Sequence, residues 1–180
     1  RDSSTFDFES GNRFQGLLDS GYSYHLVSES VLCHENAVVS EGVLAAVGPA
    51  YKAMIDDHVH VMSPEGIHRL EEYAQAGLPI VLLDSNISRT YGSDVTADDE
   101  AAAVFAAIAG MENVRVVGTA EEIPAALEML GVTAWAQYDA PHLETTMYVD
   151  AANETNYYYV YNNAFISRSE ERFSRNAETD

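Results

Sequence analysis

Basic residues are scarce in this sequence. It contains nine lysines and arginines against 29 aspartates and glutamates, and Lys52 is its only lysine. The formal net charge is therefore -20 at pH 7. A field of this sign repels the phosphates of nucleic acids and the surface of anionic membranes, so we expect neither as a partner.

Cysteine and long apolar runs are scarce as well. Cys33 is the only cysteine, which excludes an internal disulfide and a cysteine-based zinc cluster. No apolar run approaches the roughly 18 residues that a membrane-spanning helix needs, so no such helix is expected. The chain begins at Arg1 without a visible signal peptide, and we therefore expect a processed piece of a longer precursor.

The motifs that commonly bind phosphates or present nucleophiles are also missing. Neither a G-x-G-x-x-G fingerprint nor a G-x-x-x-x-G-K loop is present, and we expect no cofactor. No G-x-S-x-G nucleophile elbow occurs. The 29 acidic residues offer many carboxylate pairs of the kind that glycosidases use, but no pair stands out. The sequence therefore assigns no catalytic residue.

A strand, a helix and a second strand follow one another in the first half of the chain. Tyr51–Ile55 predicts a compact apolar strand. Ser63 as N-cap and Pro64 at the first position predict the start of a helix, and Gly77 predicts its end. Ile80–Leu83 is a continuous apolar run, typical of a strand buried on both faces. Two strands joined by one helix predict a parallel pair.

The same alternation continues further along the chain. A second helix is predicted to begin at Thr96 or Asp98, and Val114–Val117 predicts the next strand. A capping-box pattern at Thr119–Glu122 predicts the start of a third helix. We therefore predict an α/β fold with a mostly parallel sheet flanked by helices, in a domain of residues 1–140.

The final third of the sequence changes character. Leu143–Val149 and Asn156–Tyr161 alternate and are rich in aromatic residues, which predicts an antiparallel β-hairpin. We assign the hairpin to residues 141–165, as the start of a β-sandwich in one interpretation. The polar residues 166–180 are assigned to a tail.

Three tyrosines of the second hairpin strand are candidate ligand-binding residues. Tyr157, Tyr159 and Tyr161 alternate along the strand and therefore share one face. In one interpretation they form a platform on which sugar rings stack. In the other they pack against another domain, because tyrosine is common in strands and in interfaces.

Acidic residues and histidines surround the ends of two predicted strands. Asp56 and Asp57 end one strand and Asp84 follows the next, at the edge where open α/β sheets bind ligands. His58 and His60 would project on one face of a strand, with Asp56 or Asp84 as a third ligand. This pattern is one half of a metal site, and it makes a small metal-dependent hydrolase the second alternative function. In the interpretation that the sequence favours, both imidazoles lie in a solvated loop.

Cys33 is a candidate nucleophile with His34 or His25 as its base. It lacks the glycine-flanked strand-to-helix turn on which a class I glutamine amidotransferase sets its cysteine. The sequence therefore favours a structural thiol at this position.

Two sequons are present, at Asn86-Ile-Ser88 and Asn153-Glu-Thr155. This pattern is the acceptor for N-glycosylation in secreted proteins. We expect Asn86 and Asn153 to be glycosylation sites if the chain is secreted.

Several short stretches resemble a segment of large secreted fungal proteins that are similar to α-L-rhamnosidases of glycoside hydrolase family 106. These stretches are Asn36–Val39, Gly42–Leu44, Gly48–Ala53, Met62–Glu65 and Ala76–Val81. Two further stretches, Thr145–Tyr148 and Tyr157–Asn163, resemble the strand pair that opens a β-sandwich in that family.

The resemblance implies a place within a larger protein. In that family the segment follows a catalytic (β/α)8 barrel, resembles a class I glutamine amidotransferase without its catalytic residues, and precedes a β-sandwich. A barrel of about 250 residues does not fit in 180, so no catalytic residue carries over. The resemblance therefore implies an accessory, noncatalytic domain of a secreted carbohydrate-active protein, whose partners are other domains or chains of that protein. A carbohydrate- or protein-binding module is the alternative.

Overall fold

Helices and strands alternate along the chain in the computed structural model, which describes residues 13–91, 95–139, 143–150 and 152–162. The helices are α1 Gln15–Asp19, α2 Glu29–Leu32, α3 Pro64–Gln75, α4 Val95–Ala109 and α5 Ile123–Met129, and a 3-10 turn at Ala120–Glu122 precedes α5. The strands are β1 Val39–Ser40, β2 Val43–Leu44, β3 Met54–Asp57, β4 Val61–Met62, β5 Ile80–Leu83, β6 Arg89–Thr90, β7 Val114–Val117, β8 Leu143–Asp150 and β9 Thr155–Asn162.

A three-stranded parallel sheet forms the centre of the fold. Its strand order is β3-β5-β7, with Ile80 opposite Met54 on one side and Val114 on the other. Every residue of β5 is 0% exposed. This burial on both faces confirms that the continuous apolar run is a buried strand.

Successive residues of β5 face two different layers of helices. Ile80 and Leu82 belong to a core that includes residues of α3 and α4. Val81 and Leu83 belong to a second core that includes residues of α1 and α5. The two-residue period of a strand accounts for this division. The predicted α/β arrangement, a parallel sheet flanked by helices, is therefore confirmed.

Helix α3 begins and ends at the predicted residues. Ser63 Oγ accepts a hydrogen bond from Gly66 N at 2.9 Å, and Pro64 occupies the first helical position. At the other end Gly77 has a φ of 83°, and Leu78 N donates to Tyr73 O at 3.0 Å. This left-handed glycine and its bond back into the helix form a Schellman C-cap.

The β8–β9 hairpin is also confirmed. Its two strands are each eight residues long and antiparallel, from Leu143 opposite Asn162 to Asp150 opposite Thr155. The predicted tail at residues 166–180 lies outside the described residues. The division of the chain into domains near residue 140 stays a prediction.

Two predicted strands differ from the observed structure. The alternating tyrosines of Tyr22–Leu26 also predict a strand, but this segment has no regular secondary structure. Tyr22 is instead buried, and its hydroxyl donates to Val132 O at 2.9 Å. The strand predicted at Tyr51–Ile55 begins only at Met54, because Tyr51 pairs with Leu44 in an isolated antiparallel bridge.

Helix α4 begins at Val95, before the expected caps Thr96 and Asp98. The Asp98 carboxylate instead bonds to strand β6: its Oδ1 accepts hydrogen bonds from Thr90 N at 2.6 Å and from Thr90 Oγ1 at 2.9 Å. These bonds fasten the first turn of α4 to β6. Neither α4 nor any other helix in the described ranges has the length and apolar character needed to span a membrane.

Candidate functional site

The carboxyl edge of the parallel sheet brings two strand ends together. Beyond β3, His58 N donates to Leu83 O at 2.9 Å. Beyond β5, Asp84 N donates to Val117 O, also at 2.9 Å. His58 and Asp84 have φ values of 56° and 45°, in the left-handed region. The backbone therefore turns sharply at both positions. Open α/β sheets bind their ligands at the corresponding edge.

Arg13, Asp57, His58 and Asp84 form a connected group, the carboxyl-edge cluster. Arg13 Nη2 lies 2.8 Å from Asp57 Oδ1. His58 Nδ1 lies 2.7 Å from the same oxygen, and its Nε2 lies 3.4 Å from Asp84 Oδ2. An imidazole between two carboxylates can transfer a proton. Here the same contacts also compensate the charges of the cluster, because a guanidinium lies beside one of the carboxylates.

Asp56 lies on the other face of β3. Strand alternation places its side chain with Met54, whereas Asp57 shares its face with Ile55. Asp56 is only 3% exposed, and its Oδ2 has no hydrogen-bond partner among the described residues. Burial is the main cause that raises the pKa of Asp56 from 3.8 to about 6, and a hydrogen bond from Ser85 acts in the opposite direction.

The structure divides the predicted metal ligands between two groups. His58 lies with Asp84 in the carboxyl-edge cluster, whereas His60 interacts electrostatically with Asp56. Both histidines are exposed and lie between β3 and β4 rather than in a strand. Within the described ranges no group of three or more His, Cys, Asp or Glu side chains could hold a metal ion. The metal site stays a prediction, which metal analysis of the His58→Ala and His60→Ala variants would test.

Cys33 is separate from the carboxyl-edge cluster. Burial, followed by the charges of Glu65 and Glu29, raises the pKa of its thiol, which disfavours the thiolate that a nucleophile requires. The two candidate bases make other contacts: His34 Nδ1 accepts from Asn36 N at 3.2 Å, and His25 Nδ1 lies 2.9 Å from the Tyr51 hydroxyl. These contacts agree with a structural thiol.

The tyrosines of β9 are exposed on the hairpin surface. Tyr157, Tyr159 and Tyr161 are 57%, 64% and 43% exposed, and the ring centroids of Tyr159 and Tyr161 are 6.2 Å apart. Tyr158 and Val160, which alternate with them on the opposite face, are each 54% exposed. Both faces of β9 are therefore accessible to a ligand or a partner.

Both sequon asparagines lie on the surface. Asn86 is exposed in the loop after β5. Asn153 is exposed in the turn between β8 and β9, where its Nδ2 donates to Asp150 Oδ2 at 2.7 Å. Glycosylation at the two positions stays a prediction.

Sequence reasoning missed Arg13 as a member of the carboxyl-edge cluster. Arg13 is 45 residues away from His58 in the sequence, and no local pattern connects them. The only sequence signal for its role is the scarcity of cations: with nine basic residues and 29 acidic ones, each basic residue has several acidic residues with which it could pair.

The observed fold is α/β. Comparison of the chain with protein-family models, with curated proteins and with solved structures found no match.

Proposed function

We propose that this chain is an accessory, noncatalytic α/β domain of a secreted carbohydrate-active protein. The observation that carries the proposal is the β8–β9 hairpin, which exposes apolar and aromatic side chains on both faces. Its partner in this proposal is another domain or chain of the parent protein. The rhamnosidase-like parent, the amidotransferase-like relation and secretion rest on the resemblance carried by stretches such as Gly48–Ala53.

The exposed surface of the hairpin supports a docking role. Tyr148 and Val149 of β8 are 65% and 62% exposed, beside the exposed side chains of β9. A lone two-stranded hairpin is at best marginally stable in water, and further strands or a packed face are needed to stabilise it. Contiguous exposed apolar surface is typical of interaction sites. A covering domain would supply both the missing strands and the missing packing.

The carboxyl edge of the sheet supports a noncatalytic role. Its polar groups are engaged with one another, as Asp57 is with Arg13 and His58. The candidate nucleophile Cys33 lies elsewhere, next to Glu29 and Glu65, with a raised pKa. These contacts favour a scaffold at the edge where related folds place their chemistry.

Hydrogen exchange tests the docking role. The amides of β8 and β9 are expected to exchange quickly in the isolated chain and to become protected when the remainder of the parent protein is added. Amides of β5 serve as an internal control, because the complete burial of this strand protects them in both samples. Unchanged exchange in the hairpin would count against docking, and enzyme-like hydrolysis of aryl rhamnosides by the purified chain would overturn the noncatalytic assignment.

A binding module that uses the tyrosine face is the second candidate function. The paired rings of Tyr159 and Tyr161 favour it, since exposed aromatic rings present flat apolar faces next to polar hydroxyls. Tyr159→Ala is expected to weaken the binding of a saccharide or protein partner. Tyr158→Ala, on the opposite face of the same strand, is the matched control, and equal losses in the two variants would contradict this candidate.

A further inference from the structure

An open cleft lies between the segment that follows α1 and strand β8. Residues 23–26 and Leu18 line one side, and residues 144–146 of β8 line the other. Its volume is about 600 Å³. No local sequence pattern indicates this cleft, because its two sides are more than a hundred residues apart in the chain.

Neighbouring hydroxyls position the polar groups on the β8 side. Tyr161 donates its hydroxyl hydrogen to Glu144 Oε2, and Tyr138 donates to Thr145 Oγ1. Thr145 is only 3% exposed. The Glu144 carboxylate held in this way loses little conformational freedom when a ligand binds, whereas the Thr145 side chain lies on the other face of β8.

Aromatic contacts position the opposite side. His25 Nδ1 lies 2.9 Å from the Tyr51 hydroxyl, and the two rings meet edge to face with centroids 5.7 Å apart. The Tyr24 ring meets the Phe14 ring in the same manner at 5.3 Å. The cleft therefore presents an imidazole and a tyrosine whose orientations are supported from behind.

Two residues that line the cleft, Glu144 and Thr146, share a face of the hairpin with exposed tyrosines. Glu144 lies opposite Tyr161, and Thr146 lies opposite Tyr159. Residues directly opposite each other in an antiparallel pair share a face of the sheet. A ligand longer than the cleft would consequently extend onto the exposed rings of Tyr159 and Tyr161.

We propose that this cleft binds a neutral saccharide, with Glu144 and His25 hydrogen-bonding to its hydroxyl groups and tyrosine rings contacting its apolar faces. The inference rests on the second candidate function and assigns it a site. Carboxylate, imidazole and hydroxyl groups match a ligand rich in hydroxyls. The Glu144 carboxylate and the net charge of -20 disfavour an anionic ligand.

Titration calorimetry of the whole chain with L-rhamnose, D-galactose and cellobiose tests the proposal. At least one of these sugars is expected to bind, and Glu144→Gln should weaken that binding about tenfold or more, since hydrogen bonds to charged groups contribute about 1.5–3 kcal/mol. Glu100→Gln, an exposed position in α4, is the control with the same change of charge. Circular dichroism of each variant establishes that the fold is retained.

The possible outcomes separate the cleft from the broader function. Loss of binding in Tyr159→Ala with unchanged binding in Glu144→Gln would retain the tyrosine face and overturn the cleft. If no sugar binds the wild-type chain, the cleft proposal is overturned, while docking through the hairpin is still testable by hydrogen exchange. Binding of spermidine but of no sugar would likewise overturn it, because the cleft would then select cations.

Discussion

Lys52 Nζ lies 3.9 Å from the centroid of the Trp135 ring, so the only lysine of the chain rests on its only tryptophan. An ammonium over an indole face is attracted by the ring quadrupole. Lys52 precedes β3 and Trp135 follows α5. The contact therefore connects the segment before β3 to the segment after α5.

Replacement of Lys52 by methionine removes the cation and keeps an unbranched side chain. We expect the free energy of unfolding to fall by about 0.5–1 kcal/mol, the usual size of a cation–π contact at an exposed site. Urea unfolding followed by Trp135 fluorescence measures the change. Lys52→Arg retains the cation and should retain most of the stability, and an equal loss in both variants would show that the charge contributes nothing.

Among the glycines that the structure describes, Gly21 is the one at which a side chain is least tolerable. It has a φ of 82°, and a Cβ atom there would lie 1.8 Å from Ala136 O. We expect Gly21→Ala to destabilise the chain by about 3 kcal/mol or more, from backbone strain and overpacking together. Gly16→Ala is the control, because nothing lies within 4 Å of its added Cβ and it is in helix α1. That variant should gain up to about 1 kcal/mol in thermal or urea unfolding.

Two serines occupy N-cap positions but differ in their bonds. Ser63 Oγ accepts from Gly66 N at the start of α3, whereas Ser28 makes no side-chain cap bond at the start of α2. Ser63→Ala should therefore cost about 1 kcal/mol, the usual effect of a lost N-cap. Ser28→Ala should cost clearly less. Similar losses in the two variants, measured by denaturant midpoint, would contradict the assigned cap.

The buried Asp56 carboxylate should make stability depend on pH. Its pKa is raised from 3.8 to about 6 in the folded state, so its contribution to stability is fully present below pH 3.8 and is lost as pH rises through about 6. Asp56→Asn removes this charge and should stabilise the chain at pH 7 by up to about 3 kcal/mol, the equivalent of a shift of about two pKa units. At pH 4 the difference from wild type should nearly vanish.

Asp99→Asn is the control for Asp56→Asn, because it removes one negative charge from an exposed position of α4. It corrects for the general relief of repulsion in so acidic a chain. If the advantage of Asp56→Asn over Asp99→Asn is the same at pH 4 and pH 7, the pKa of Asp56 is not raised by its burial.

The parts of the fold that local chemistry determines were predictable. The apolar run Ile80–Leu83, the cap at Ser63 and the stop at Gly77 each depend on residues close together in sequence, and all three are observed. The β8–β9 hairpin was predicted from the alternating residue pattern on both sides of a polar turn, and it is observed.

The parts that depend on distant contacts were not predictable. Arg13, which precedes α1, contacts Asp57 at the end of β3, and Tyr22 bonds to Val132, 110 residues further on. Nothing in the local pattern of Tyr22–Leu26 shows that Tyr22 packs into a core and that the segment does not pair in a β-sheet. The burial of Asp56 on the opposite face from Asp57 also depends on packing, because the sequence shows only two adjacent acids.

The bond from Tyr22 to Val132 also bears on the order of folding. It closes a loop of 110 residues, whereas β3, β5 and β7 pair between successive segments of the chain. Closing a longer loop costs more entropy, so we expect the α1 region to dock after the parallel sheet has formed. The same region should open before the parallel sheet under native conditions, so the contact between Tyr22 and Val132 should form after the sheet and break before it.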